Sequence, residues 1–233
     1  MAEPSGYRLL ELVAVMDRLR RTGGCPWDAR QTHQSLVEYL IEETYETVEA
    51  IESGDLADLC EELGDLLLQV IFHARIAAEG AAGFTIDDVA DGITTKLISR
   101  HPHVFADGDA RTADDVEVNW HRIKVEEKGR TSVTDGIPLG LPALLLAAKL
   151  HGRATSGGVD VSATSLAVSQ AALDAWELAL AQSRSLPVDR SAALGEVLLA
   201  LAVAARSEGI DPEAALREAT RKHVERIHAA EQS

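Results

Sequence analysis

The chain has 233 residues, 46% of them hydrophobic and only 4% aromatic, and a formal net charge of −16 from 38 acids against 22 Lys and Arg. This is enough apolar material for one large core or two modest ones, which excludes wholesale disorder. So negative a surface is a poor partner for a nucleic-acid backbone or an anionic membrane, so neither is expected, and a polyanionic substrate would need a metal ion or a local basic pocket.

Leu9, Leu10, Val13, Met16 and Leu19 recur at helical spacing over 7–21, and Gly23-Gly24-Cys25-Pro26 then stops the helix and leads into a loop holding Trp27. A second helix is predicted from about Ser35 to Glu52, ending at Ser53-Gly54. Asp55 is placed to cap a third that runs to about Ala78. Thr85 or Asp87 starts a fourth, which ends before His101-Pro102. A fifth is predicted over 114–128. After the turn-rich 129–142, helix returns over 141–150, and 151–165 reads as a flexible connection. Two more helices are expected over about 166–184 and 190–208, and a last one from Pro212. No strand alternation is present, so the fold class is all-α. The N-terminus has no basic region followed by a long apolar run, and the apolar stretches are shorter than the ~20 residues that span a bilayer. Cys25 and Cys60 make no disulfide framework, and the expected compartment is the cytoplasm.

The second half reads as a decayed copy of the first. Displaced by 131 residues, LGDLLLQVIFHAR (63–75) falls on LGEVLLALAVAAR (194–206) with six of thirteen positions identical. The same displacement sets Glu43 and Glu46 against Asp174 and Glu177, Asp65 against Glu196, and Glu62 against Ala193. The expected organisation is a first domain over 1–131 and, over 132–233, a linker helix followed by a degenerate second copy with one acid missing.

At about 100° per residue, Leu36, Val37, Leu40, Ile41, Thr44, Val48 and Ile51 share one arc of the second helix. Leu56, Leu59, Cys60, Leu63, Leu66, Leu67, Val70, Ile71 and Ala74 share one arc of the third. These arcs are the expected core faces. Glu43 and Glu46 border the first arc. Glu62 and Asp65 border the second, with Asp58, Gln69 and His73 alongside. Glu38, Glu42 and Glu49 point the other way, to solvent. Each bordering pair has the i, i+3 spacing that makes neighbours on one face, and the short turn from Glu52 to Asp55 makes the helices antiparallel neighbours. Acid-rich helices are commonly just solvated. Four carboxylates flanking one seam, however, repel unless a cation neutralises them. Oxygen-only ligands select Mg²⁺ or Mn²⁺ over zinc or copper, and the segment lacks the Glu-x-x-His pairs of a di-iron bundle.

Glu42-Glu43-Thr44-Tyr45-Glu46 followed by Glu62-Leu63-Gly64-Asp65 resembles the EExxE…ExxD signature of the MazG family of nucleoside triphosphate pyrophosphohydrolases. Gly24-Cys25-Pro26-Trp27-Asp28, Arg100-His101-Pro102-His103-Val104-Phe105, and Trp120 with Ile123-Lys124 agree with it over about residues 8–150. The tail IDPEAALREATRKHVERI (210–227) looks like the end of the second domain of two-domain members. The resemblance implies an all-α MazG-like helical bundle, usually a homodimer, that cleaves NTP or dNTP to nucleoside monophosphate and pyrophosphate. It implies Glu43, Glu46, Glu62 and Asp65 as ligands of Mg²⁺, with Mn²⁺ able to substitute, and Glu43 or Glu46 as the base that activates water. Glu42, facing outward, is expected to support the site from outside. Lys96 and Arg100, at i, i+4, are expected to hold phosphates, Trp120 to stack on the base, and Lys124 to support phosphate. Trp27 is expected chiefly to anchor the first loop in the core, and His33, His73, His101 and His103 to pack or cap turns.

The second half keeps Asp174, Glu177 and Glu196, and Lys222 and Arg226 repeat the spacing of Lys96 and Arg100, but Ala193 stands where an acid is needed. It is expected to be inactive and to serve dimerisation or regulation. Two alternatives stay open. One is a narrower all-α pyrophosphohydrolase acting on dUTP, dCTP or phosphoribosyl-ATP. The other is a non-catalytic scaffold that binds nucleotide or a structural ion.

Overall fold

The computed structural model describes residues 6–106, 112, 115–116, 132–159, 170, 173–174, 176–177 and 190–232. Among them the chain is all-α, with no strand. None of the described helices is long and apolar enough to cross a membrane. The chain divides into two compact units between Lys124 and Val125.

The first unit holds α1 (Tyr7–Arg20), α2 (Pro26–Arg30), α3 (Val37–Ser53), α4 (Leu56–Ala77), α5 (Ile86–Arg100) and α6 (Pro102–Phe105). The expected loop at Trp27 contains the short α2. Pro26 stands at its first turn, where a missing N–H costs nothing and φ is already set for helix. α3 ends on Gly54, whose φ of 78° is left-handed. Asp55 then caps α4, its carboxylate accepting from the N–H groups of Ala57 and Asp58. Thr85 and Asp88 form a reciprocal capping box on α5. The predicted helix over 114–128 lies almost wholly outside the described residues.

α4 is the central element and packs against α1, α3 and α5. Met16, Leu36, Ile71 and Phe72 make the core, ringed by Leu12, Val13, Leu19, Leu68, Ile76 and Ile86. Of the apolar arcs expected to be buried on α3 and α4, Leu36, Ile71 and Ala74 are inside, but most of the rest is not. Ile41 is 52% exposed, Ile51 59%, Leu56 78% and Leu63 51%, and Val37, Leu40, Leu67 and Val70 are open as well. α3 buries Thr47 and Ala50 instead, and the Thr47 hydroxyl donates to the carbonyl of Glu43 at 2.8 Å. Small residues on this face let the two helices approach with their acids between them, which leaves the apolar arc outward. Apolarity shows that a face will be covered; it does not say by what.

Arg20 ties three segments together from a buried position. Its Nε and Nη2 donate to the two carboxylate oxygens of Glu79, each at 2.9 Å. Its Nη1 donates to the carbonyls of Asp28 and Gln31, and the guanidinium lies over the ring of Phe72. Arg75 joins Asp17 and Glu79 to the same network. Glu79→Ala leaves the Arg20 guanidinium buried without its carboxylate. The expected cost is about 3 kcal/mol, the low end for a broken buried pair because Glu79 itself is partly screened by solvent. Urea unfolding of the variant beside wild type measures it. Gly24 is required by close approach: a Cβ there would run into the carbonyl oxygens of Arg18 and Leu19.

The second unit holds α7 (Ala143–Ser156), α8 (Arg190–Ser207) and α9 (Pro212–Glu231), with α8 packed on α7 and α9 touching both. Its buried side chains are mostly small: Ala148, Ala154, Ala202, Val197, Val203 and Ile137. The connection expected over 151–165 starts later than its composition suggested, because α7 continues to Ser156 and buries Ala154. The break comes at Gly157-Gly158, where Gly158 has φ 70°. Asp211 caps α9 through Glu213 and Ala214. Most of the helix expected over 166–184 lies outside the described residues.

Candidate functional site

α3 and α4 form an antiparallel hairpin closed by the turn at Ser53–Asp55, so residues near the middle of one helix face those near the middle of the other. Glu43 comes from α3, and Glu62 and Asp65 come from consecutive turns of α4. All three are half-buried, and one oxygen of each lies within 4.8 Å of the other two. None of the three is paired with a Lys or Arg among the described residues. The proton affinities record the crowding. Burial, then the charge of Asp65, then those of Glu46, Glu62 and Glu42 hold the Glu43 carboxyl above its ordinary value. Desolvation, then Glu46 and Asp65, with Glu61 and Asp58 behind them, do the same to Glu62. Oxygen-only donors, held together with no paired Lys or Arg among the described residues, are the set a hard divalent ion takes.

The other residues singled out from the sequence are placed differently. Glu46 is exposed and stands outside the triad, although its charge acts on both Glu43 and Glu62. Lys96 is exposed, whereas Arg100, one turn on, is buried. Trp120 and Lys124 lie outside the described residues. Trp27 does not anchor the core. It is exposed and meets Tyr39 edge-on, ring centroids 6.0 Å apart. His101 caps the end of α5, its Nδ1 2.6 Å from the carbonyl oxygen of Leu97, with the His103 ring tilted beside it. His33 and His73, read from sequence only as packing residues, face each other nitrogen to nitrogen. The partners of Arg20 and His33 lie far away in sequence, which leaves no periodic signal to find them by.

In the second unit, Ala193 and Glu196 lie on α8, with Glu196 exposed. Asp174 accepts from the amide of Gln170 at 2.8 Å. Among the described residues, the triad of the first unit is the one cluster of three such groups.

A model of the MazG nucleotide pyrophosphohydrolase domain matches residues 31–105, a window that contains the triad, Glu46, Lys96 and Arg100. The chain is 40% identical over 231 residues to the nucleoside triphosphate pyrophosphohydrolase/pyrophosphatase MazG of Thermotoga maritima, covering 98% of this chain and 87% of that protein. The chain belongs to the MazG family. It is also 39% identical over 232 residues to the nucleoside triphosphate pyrophosphohydrolase of Escherichia coli, covering 94% of this chain and 88% of that one. To the nucleoside triphosphate pyrophosphohydrolase of Mycobacterium tuberculosis it is 50% identical over 155 residues, 66% of this chain and 47% of that protein. An all-α MazG fold is therefore common ground between the motif, the helices and the relatives.

Proposed function

We propose that the first unit of this MazG protein hydrolyses nucleoside triphosphates, ribo or deoxy, to the monophosphate and pyrophosphate. Glu43, Glu62 and Asp65 would hold Mg²⁺ or Mn²⁺, with Glu46 completing the set. The observation that supports this best is the convergence of three half-buried carboxylates, none of them paired with a Lys or Arg among the described residues. When bound, the ion neutralises triphosphate charge and polarises the phosphorus under attack.

The chain supplies the rest. Raised proton affinity suits Glu43 to take a proton from the attacking water, and Glu46, exposed beside it, is the second candidate for that role. Lys96 and Arg100 would receive the phosphates, Trp120 would stack on the base, and Lys124 would assist at phosphate. The outward apolar arc of α3 and α4 is the surface on which a second copy would pack, giving a homodimer. The catalytic copy falls within 1–131, and the second copy over 132–233, without an acid at Ala193, is inactive. This reading places the enzyme in the cytoplasm, clearing its nucleotide pool.

The test is product analysis on the eight common NTPs and dNTPs, with and without Mg²⁺, for wild type and Glu46→Ala. Monophosphate plus pyrophosphate, dependent on metal and lost in the variant, is the expected result. Activity confined to dUTP or dCTP would narrow the assignment. Orthophosphate as product would overturn it, as would nucleotide binding without turnover, the mark of a scaffold.

A further inference from the structure

His33 and His73 are 40 residues apart in sequence and meet Nδ1 to Nδ1 at 2.8 Å. Their ring planes are within 1° of parallel with centroids 5.1 Å apart, so the rings meet edge to edge, as an in-plane N–H···N bond requires. Two imidazole nitrogens at that separation share one proton, one donating and the other accepting. The location of the pair gives it a consequence. The α3–α4 hairpin is tied at one end by the turn at Ser53–Asp55. At its open end, His33, just before α3, reaches His73 near the end of α4, so the acid triad lies between the covalent tie and the hydrogen-bonded one. The turn that carries His33 has little slack. Thr32 N–H donates to Ser35 Oγ at 2.9 Å, Ser35 N–H donates back to Thr32 Oγ1 at 3.1 Å, and Leu36 is fixed in the core. A displacement of His33 is therefore passed on to the start of α3.

We infer that the His33–His73 hydrogen bond is a proton-operated latch that holds α3 on α4 and so sets the spacing of Glu43 from Glu62 and Asp65. Both histidines are positioning residues, and the inference rests on the metal-site reading above. His73 Nε2 and Gln69 Oε1, one turn apart on α4, are both buried without hydrogen-bond partners. The bond between the two Nδ1 atoms needs one of them protonated and the other bare, whichever ring supplies the proton. With both Nδ1 atoms protonated, two N–H groups stand face to face and the latch opens. Burial, then the charge of His33, keep His73 below the ordinary imidazole value, so the latch is closed at neutral pH and opens on acidification below about 6.5. Of the charged groups on the elements packed against α4, Asp17 and Arg20 of α1 pair with Arg75 and Glu79, Glu43 of α3 belongs to the triad, and Asp88 of α5 is bound to Thr85. Glu46 of α3 and Lys96 of α5 are exposed.

The experiment is Mn²⁺ affinity by electron paramagnetic resonance from pH 7.5 to 5.5, for wild type, His33→Ala, His33→Gln and Glu62→Gln. Histidine ¹⁵N spectra of the metal-free protein accompany it. At pH 7.5, His33→Ala is expected to weaken binding about tenfold, the scale of a lost supporting contact, and to lose less affinity on acidification than wild type does. His33→Gln, whose amide donates but gains no proton, should restore affinity at pH 7.5 and keep the flatter profile. The His73 ¹⁵N resonances should change on acidification in wild type and respond differently in His33→Ala. Parallel pH profiles in wild type and both His33 variants, with Mn²⁺ still lost in Glu62→Gln, would overturn the latch alone. Mn²⁺ binding unchanged in Glu62→Gln would overturn the metal reading and the latch with it.

Discussion

Glu62→Gln is expected to remove the proposed metal-dependent hydrolysis, lowering kcat/KM by about 10³-fold or more, the several kcal/mol a catalytic ion contributes. The same substitution raises the melting temperature of the metal-free protein. Both effects have one cause. Glu43 and Glu62 bind protons more tightly in the folded chain than at their ordinary value of 4.5, because desolvation and neighbouring acids oppose their charge. Between that value and the raised one, the folded state holds more protons than the unfolded state. Stability contributed by the cluster therefore falls as pH rises through this window, and it stays lower at neutral pH. Removing one charge relieves the repulsion, and a bound cation does the same without loss of function. Thermal melts at pH 7 with and without Mg²⁺ check this. Wild type gains from the ion, and Glu62→Gln starts higher and gains little. Glu79 behaves with the opposite sign. Its hydrogen bond to Arg20 and the charges of Arg20 and Arg75 lower its pKa. Its contribution is present above the ordinary carboxylate value and is lost as pH falls through the lowered one.

Ile41→Glu converts the proposed dimer to monomer. Ile41 lies in the middle of the exposed arc formed by Val37, Leu40, Ile41 and Ile51 of α3 with Leu56, Leu63, Leu67 and Val70 of α4. In an isolated chain this is a surface substitution, within about 0.5 kcal/mol of neutral. In a dimer packed through the arc it buries an unpaired carboxylate, several kcal/mol or a factor of at least ~10² in dissociation constant. Sedimentation of both proteins at micromolar concentration decides the matter. Wild type is expected at twice the chain mass and the variant at the chain mass with an unchanged circular dichroism spectrum. A monomeric wild type would leave the arc to some other partner.

Features written in local sequence were legible beforehand. Asp55 caps α4, Thr85 begins α5, Gly54 ends α3, and Glu62 and Asp65 share one face of α4 in the triad, because caps and helical spacing act over one or two turns. The buried face of the hairpin was legible only in part, at Leu36, Ile71 and Ala74. A helical wheel ranks faces by polarity, whereas burial depends on which elements are present to cover them, and here Thr47 and Ala50 go inside while Ile41 and Leu63 stay out. The contacts that close the first unit were beyond reach for a simpler reason. Arg20 finds Glu79 across 59 residues and His33 finds His73 across 40, and no periodicity spans such distances. The extra turns of α7 were missed because the Gly-, Ser- and Thr-rich composition of 151–165 reads as a connection, while burial of Ala154 outweighs the modest propensity cost of its first residues.

The central claim is that the acids between α3 and α4 are aimed at a metal ion. A calorimetric Mn²⁺ titration of wild type, Glu62→Gln, Asp65→Asn and the solvent-facing control Glu38→Gln tests it most directly. Saturable binding in wild type and Glu38→Gln, lost in the other two, is the predicted result. Identical titrations in all four proteins would contradict it and return these carboxylates to the role of a solvated helix face.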